Sequence, residues 1–182
     1  MNLTLNASDL GVMKMRFTIA ILLSLLASTA FAGEVTEADA LAWINQIQGK
    51  WTTKMTVGEK VLEGKFTLRK VKGAATGIGR FSDSDGSTTS NGAEIGGWQA
   101  DRKVCQINGY VSNGDWYELK YTKLSADGGT GTITGMVAGK SYSNANFEIK
   151  VTDKNHIVWR LDGKTEDSQP LKASSEWTRE TE

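Results

Sequence analysis

Gln48-Gly49-Lys50-Trp51-Thr52-Thr53-Lys54-Met55 is the stretch on which the fold turns. Before it, apolar residues recur every three or four positions. From Trp51 onward the period is two, with Trp51, Thr53 and Met55 on one face, and Gly, Asn and Asp mark the joints. That is the pattern of antiparallel hairpins. A helix therefore ends at this point and a long series of strands begins.

Upstream, Thr36 stands ahead of Glu37 and Asp39, an N-cap followed by acidic residues that favour the positive end of a helix dipole. Ala40, Leu41, Ile44 and Ile47 form one apolar stripe, which Gly49 stops. The spacing predicts a helix over Glu37 to Gln48 that braces one end of a barrel, with Trp43 beside the stripe as a packing anchor.

Downstream, Leu62, Gly64, Phe66 and Leu68 alternate with Glu63, Lys65, Thr67 and Arg69, a half-buried strand. Lys72-Gly73 turns the chain into Thr76 to Ser82, where Gly77 and Gly79 permit the sharp bend a small barrel needs. The polar run Asp83 to Gly92 reads as an exposed loop at a barrel mouth. It lacks the further acidic ligands of a calcium loop.

Strand character resumes over Ala93 to Gln99 and Val104 to Val111, and Ser112-Asn113-Gly114-Asp115 is a strong turn. In the next segment Tyr117, Leu119 and Tyr121 oppose Trp116, Glu118 and Lys120. A threonine-rich strand follows from Thr130 to Val137. Then Ala145, Phe147, Ile149 and Val151 share a face, as do Ile157, Trp159 and Leu161, and Leu171 to Arg179 supplies the last strand. Short joints with no helix between them predict an all-β, closed antiparallel up-and-down barrel of about eight to ten strands.

The chain's 182 residues suit one folded domain, residues 33–182, after a targeting segment. Lys14 and Arg16, the apolar run Phe17 to Leu26, and Ala30-Phe31-Ala32 read as a signal peptide over 1–32, with starts at Met13 or Met15 also available. The apolar run is shorter than the ~20 residues of a membrane span. These features place the expected mature protein outside the cytoplasm, secreted or periplasmic, without membrane insertion.

Removing residues 1–32 takes two of the 21 Lys+Arg and one of the 21 Asp+Glu, leaving a chain near neutrality with no sustained basic run. Nucleic acid and anionic membranes are not expected partners. Cys105 is the one cysteine, so the core must hold the fold without an internal disulfide.

No reactive constellation is visible. His156 is the one histidine and reads as an exposed turn residue; the sharper alternative is a haem or metal ligand. Cys105 reads as a small buried apolar residue. The carboxylate pairs Asp83/Asp85 and Glu166/Asp167 fall in loops, leaving general acid–base chemistry no apolar setting. The sequence predicts neither an enzyme nor a cofactor or metal site.

Gly49-Lys50-Trp51 after a short helix, with Arg179 on the final strand, resembles the lipocalin and calycin superfamily. Ile95-Gly96-Gly97-Trp98 and Gly114-Asp115-Trp116-Tyr117 are similar to stretches of secreted bacterial lipocalin-like domains. The resemblance implies a calycin-like barrel in which Gly49, Trp51 and Arg179 form a structural latch at the closed end. The superfamily's Thr-Asp-Tyr motif and a clear C-terminal helix are not found in the sequence.

Phe66, Leu68, Trp98, Tyr117, Tyr121, Phe147 and Trp159 fall on inward strand faces and are the candidate lining of a cavity for a small apolar or amphipathic ligand. The alternative is that they fill the barrel solidly and the protein is a cell-envelope interaction or inhibitor module working through its loops.

Overall fold

The computed structural model describes residues 34–181 apart from 87, 88 and 138. The expected signal peptide and its cleavage site lie outside the described residues. Helix α1 (Glu37–Ile47) opens with a reciprocal cap: Thr36 Oγ1 accepts from the Asp39 amide at 3.2 Å, and the Asp39 carboxylate accepts from the Thr36 amide at 3.0 Å. The Thr36 hydroxyl, which also donates to the Asp39 carboxylate at 2.6 Å, and then the Thr36 amide hold the Asp39 carboxyl below its ordinary range. The helix ends at Ile47, and Gln48, expected inside it, already has an extended backbone. Trp43 belongs to its buried face with Ala40, Ile44 and Ile47, whereas Leu41 is half-buried. The helix lies against several strands at once, so the covered arc is wider than a single stripe.

Ten strands follow: β1 (Gly49–Val57), β2 (Lys60–Val71), β3 (Ala74–Asp83), β4 (Thr89–Gln99), β5 (Val104–Val111), β6 (Trp116–Ser125), β7 (Gly128–Val137), β8 (Lys140–Asp153), β9 (His156–Lys164) and β10 (Pro170–Arg179). Each pairs antiparallel with its sequence neighbours, and β1 pairs with β10 from Trp51↔Arg179 to Val57↔Ala173, closing the barrel. Up-and-down closure leaves no free edge.

The stretch Asp83 to Gly92, expected as one loop, instead contributes the ends of β3 and β4, which pair at Arg80↔Asn91 and Ser82↔Thr89. Its polar residues suit a strand at the barrel rim, where side chains meet water and ladder bonds satisfy the backbone.

Helix α1 packs on β2, β3, β4 and β6, covering the barrel end where β1 starts and β10 finishes. Inward faces of the strands make the core: Leu68, Ala145, Phe147, Ile149, Ile157 and Leu161 are all buried, as is Cys105. Burial pushes the Cys105 thiol up to about 12, far from a reactive thiolate.

At the covered end Arg179 lies over the indole of Trp51, its Cζ 4.1 Å from the ring centroid. The guanidinium donates to the carbonyls of Gln46 (2.9 Å), Gln48 and Lys154 (3.1 Å), while Trp51 Nε1 donates to the Ile47 carbonyl at 2.9 Å. One side chain thus ties the last strand to the end of α1 and to the β8–β9 turn, satisfying carbonyls that the helix terminus leaves without partners. Gly49 makes room: its φ is +136°, and a methyl group there would sit 2.5 Å from Arg179 Nη1.

Arg179→Ala is expected to lower unfolding free energy in urea by about 3 kcal/mol, from lost charge-assisted bonds and a lost cation–π contact. Arg179→Lys should recover only part of this, since an ammonium cannot span carbonyls on two sides in the guanidinium's planar fork.

Candidate functional site

The interior holds a cavity of about 310 Å³, lined by side chains from α1 and most of the strands. Its wall is organised by one belt of registered pairs running from β1 to β8: Gly49↔Leu68, Leu68↔Gly77, Gly77↔Glu94, Glu94↔Gly109, Gly109↔Tyr117, Tyr117↔Gly135 and Gly135↔Tyr142. Glycine alternates with a large residue at every step.

Each large side chain lies against a neighbouring glycine. A methyl group at Gly77 would stand 2.5 Å from Glu94 Cγ, and one at Gly135 would stand 2.9 Å from the Tyr142 hydroxyl. At Gly109 a methyl group would overlap the Tyr117 ring. Without those glycines the same side chains would point across the barrel and fill it. Lying along the wall, they leave the centre open.

Glu94 is the cavity residue that sequence reasoning missed. Its carboxyl faces the cavity beside Leu68 and Gly77 and accepts a hydrogen bond from the Tyr117 hydroxyl. Burial raises its pKa above the ordinary 4.5, and the Tyr117 bond opposes that rise in part. The neighbouring phenols are also pushed up by burial, Tyr117 and Tyr121 strongly and Tyr142 to about 12. They stay neutral donors at physiological pH. Elsewhere in the lining, Thr53 and Ser175 share a hydrogen bond of 2.6 Å, and Trp177 Nε1 donates to Ser175 at 2.9 Å.

Of the seven aromatic and aliphatic candidates, Phe66, Leu68, Tyr117, Tyr121 and Trp159 line this cavity. Trp98 and Phe147 do not. Phe147 is buried beneath Tyr121, whose ring stands edge-on to it at 5.2 Å. Trp98 pairs with Cys105 near the helix-covered end and packs there against the core. His156 is exposed at the β8–β9 turn, its Nδ1 2.8 Å from Asp153 Oδ2, and takes no part in the cavity. The bonds from the Asn155 amide and His156 hold Asp153 below its ordinary range. Among the described residues, no group of three or more His, Cys, Asp or Glu is placed to hold a metal ion.

No protein-family model and no curated protein sequence matches the chain. Among solved structures it is similar to Rv2717c from M. tuberculosis, at 12% identity and a TM-score of 0.60, over 79% of this chain and 99% of that one. It is also similar to the S-type phycobiliprotein lyase CPES from Guillardia theta, at 10% identity and a TM-score of 0.52, over 76% of this chain and 91% of that one. Likenesses at these identities bear on the fold alone, a closed antiparallel barrel.

Gly109→Ala is expected to displace the Tyr117 ring, break its bond to Glu94 and lower stability by about 1–3 kcal/mol, measured by urea denaturation. Glu94→Gln tests the cavity carboxyl. Because the native carboxyl holds its proton to a higher pH than the unfolded one, wild-type stability should fall relative to the variant as pH rises above 4.5. Thermal unfolding should show the two proteins converging below that pH, with the variant the more stable at neutral pH.

Proposed function

We propose that this protein is a secreted or periplasmic calycin-like barrel that binds a small apolar or amphipathic molecule in its interior without catalysing a reaction. The observation that carries this reading is the cavity itself. Its volume of about 310 Å³ falls at the lower end of small-molecule sites, and its lining is mostly apolar and aromatic with a few convergent polar groups. A barrel whose business lay wholly on its loops would gain stability by filling that space, since an empty cavity forfeits packing contacts.

The alternative, a cell-envelope interaction or inhibitor module, draws on a different feature. Ile78, Ile95, Tyr110 and Trp116 are exposed on the outer face of β3 to β6, and Ile78↔Ala93, Ala93↔Tyr110 and Tyr110↔Trp116 are paired neighbours. Contiguous exposed apolar surface of this kind suits a protein contact.

Native mass spectrometry of protein purified from its source should show a bound small molecule, and delipidated protein should regain thermal stability when the extract is returned. A ligand at a hundred times its Kd contributes about 2.7 kcal/mol. Protein that carries nothing and responds to no lipophile would count against the binding reading.

A further inference from the structure

The chemistry of the cavity wall says more about its occupant than its size does. Among the described residues that line it, the carboxylates are Glu94 and Asp115, and no lysine, arginine or histidine is present. Asp115 stands in the β5–β6 turn at the end of the barrel away from α1, where its carboxylate accepts from Asn113 Nδ2 at 2.9 Å. Glu94 lies in the middle of β4, farther from that end.

Around Glu94 the belt places Leu68 and Gly77 on one side and Tyr117 on the other, with Tyr121 and Tyr142 close enough to act electrostatically on this group of residues. Trp43 caps the region from α1, packed edge-on to Tyr121 at 6.2 Å between ring centroids. Among the described residues, the titratable groups acting on Glu94 and Tyr117 are the phenols of Tyr117, Tyr121 and Tyr142, all neutral at physiological pH, and no cationic side chain lines the cavity.

We infer that the occupant of this cavity is a small organic ammonium, a positively charged nitrogen on an apolar body, with the nitrogen seated against Glu94 and its aromatic surround. A carboxylate in a cavity lined by Phe66, Tyr117, Tyr121, Trp159 and Trp177 is the complement of a desolvated cation, because ring faces and carboxyl oxygens both present negative potential. Tyr117 occupies one acceptor site on the carboxylate and leaves the rest of its capacity for a ligand. A fatty carboxylate would meet like charge and no cation to receive it. This inference rests on the binding reading above and narrows it to one class of ligand.

The test is a titration by calorimetry with three probes of matched shape: a short alkyl trimethylammonium, its neutral tert-butyl isostere and the alkyl carboxylate of the same length. The ammonium should bind at least about tenfold more tightly than either of the others. Its affinity should strengthen as pH rises through the titration of Glu94, because the fixed cation selects the ionised carboxylate. Glu94→Gln, checked for folding by thermal unfolding, should remove both the preference and the pH dependence.

If the neutral or anionic probe binds as well as the cation, the ammonium inference is overturned and the binding barrel stands. If no probe binds at any pH, both fail. Dodecylphosphocholine below its micelle concentration separates the sources of such a group. Tight binding would assign a lipid headgroup and rejection a free amine, and either result is consistent with the ammonium assignment when the trimethylammonium probe binds.

Discussion

Closure is the constraint on which the rest of this structure depends. Ten strands can share one interior only if β1 finds β10, and the seven registered pairs that join them begin with Trp51 directly opposite Arg179. The guanidinium does more than cover an indole. By donating to carbonyls at the end of α1 and in the β8–β9 turn, it sets the helix across the barrel end that it closes. Register matters because a slip of one residue would exchange the inward and outward faces of a whole strand.

Once the ring is closed, its interior is decided by side-chain direction. The belt from Gly49 to Tyr142 alternates an absent side chain with a large one, so each large group has somewhere to lie that is not the centre. The same arrangement brings a carboxyl into apolar surroundings. Burying Glu94 is unfavourable to its ionised form, and the Tyr117 hydroxyl offsets part of that. Nothing about closing the barrel requires a group held at such a cost, and carboxyls shifted in this way cluster at functional sites.

Much of the architecture was legible in the sequence. Alternation in β2, β8 and β9 identified their inward faces, and the spacing of Gly, Asn and Asp marked the joints between them. Asp83 to Gly92 misled because composition alone cannot separate a polar loop from polar strand ends at a wet rim. Glu94 escaped notice for a related reason. In Gly92-Ala93-Glu94-Ile95-Gly96 the hydrophobicity runs against the structure: Ile95 faces solvent and Glu94 faces in. Small residues on both sides give no other cue to register. The signal that could have found it lies across strands rather than along one: glycines recur at Gly77, Gly109 and Gly135 on the strands that register with inward Glu94, Tyr117 and Tyr142. Trp98 and Phe147 were legible as inward residues, but depth along the barrel, which decides cavity lining, depends on stagger between strands that a one-dimensional pattern does not record.

The pairing of β1 with β10 joins residues more than a hundred positions apart, among the most distant partners in the chain. A polypeptide emerging from its N-terminus can form hairpins as it goes, yet it must remain an open ribbon with two unsatisfied edges until residue 179 arrives. Such long-range topology slows folding and exposes strand edges to other chains in the interval. The latch at the last strand therefore makes the docking of β10 beside β1 the step that removes the last unpaired edges.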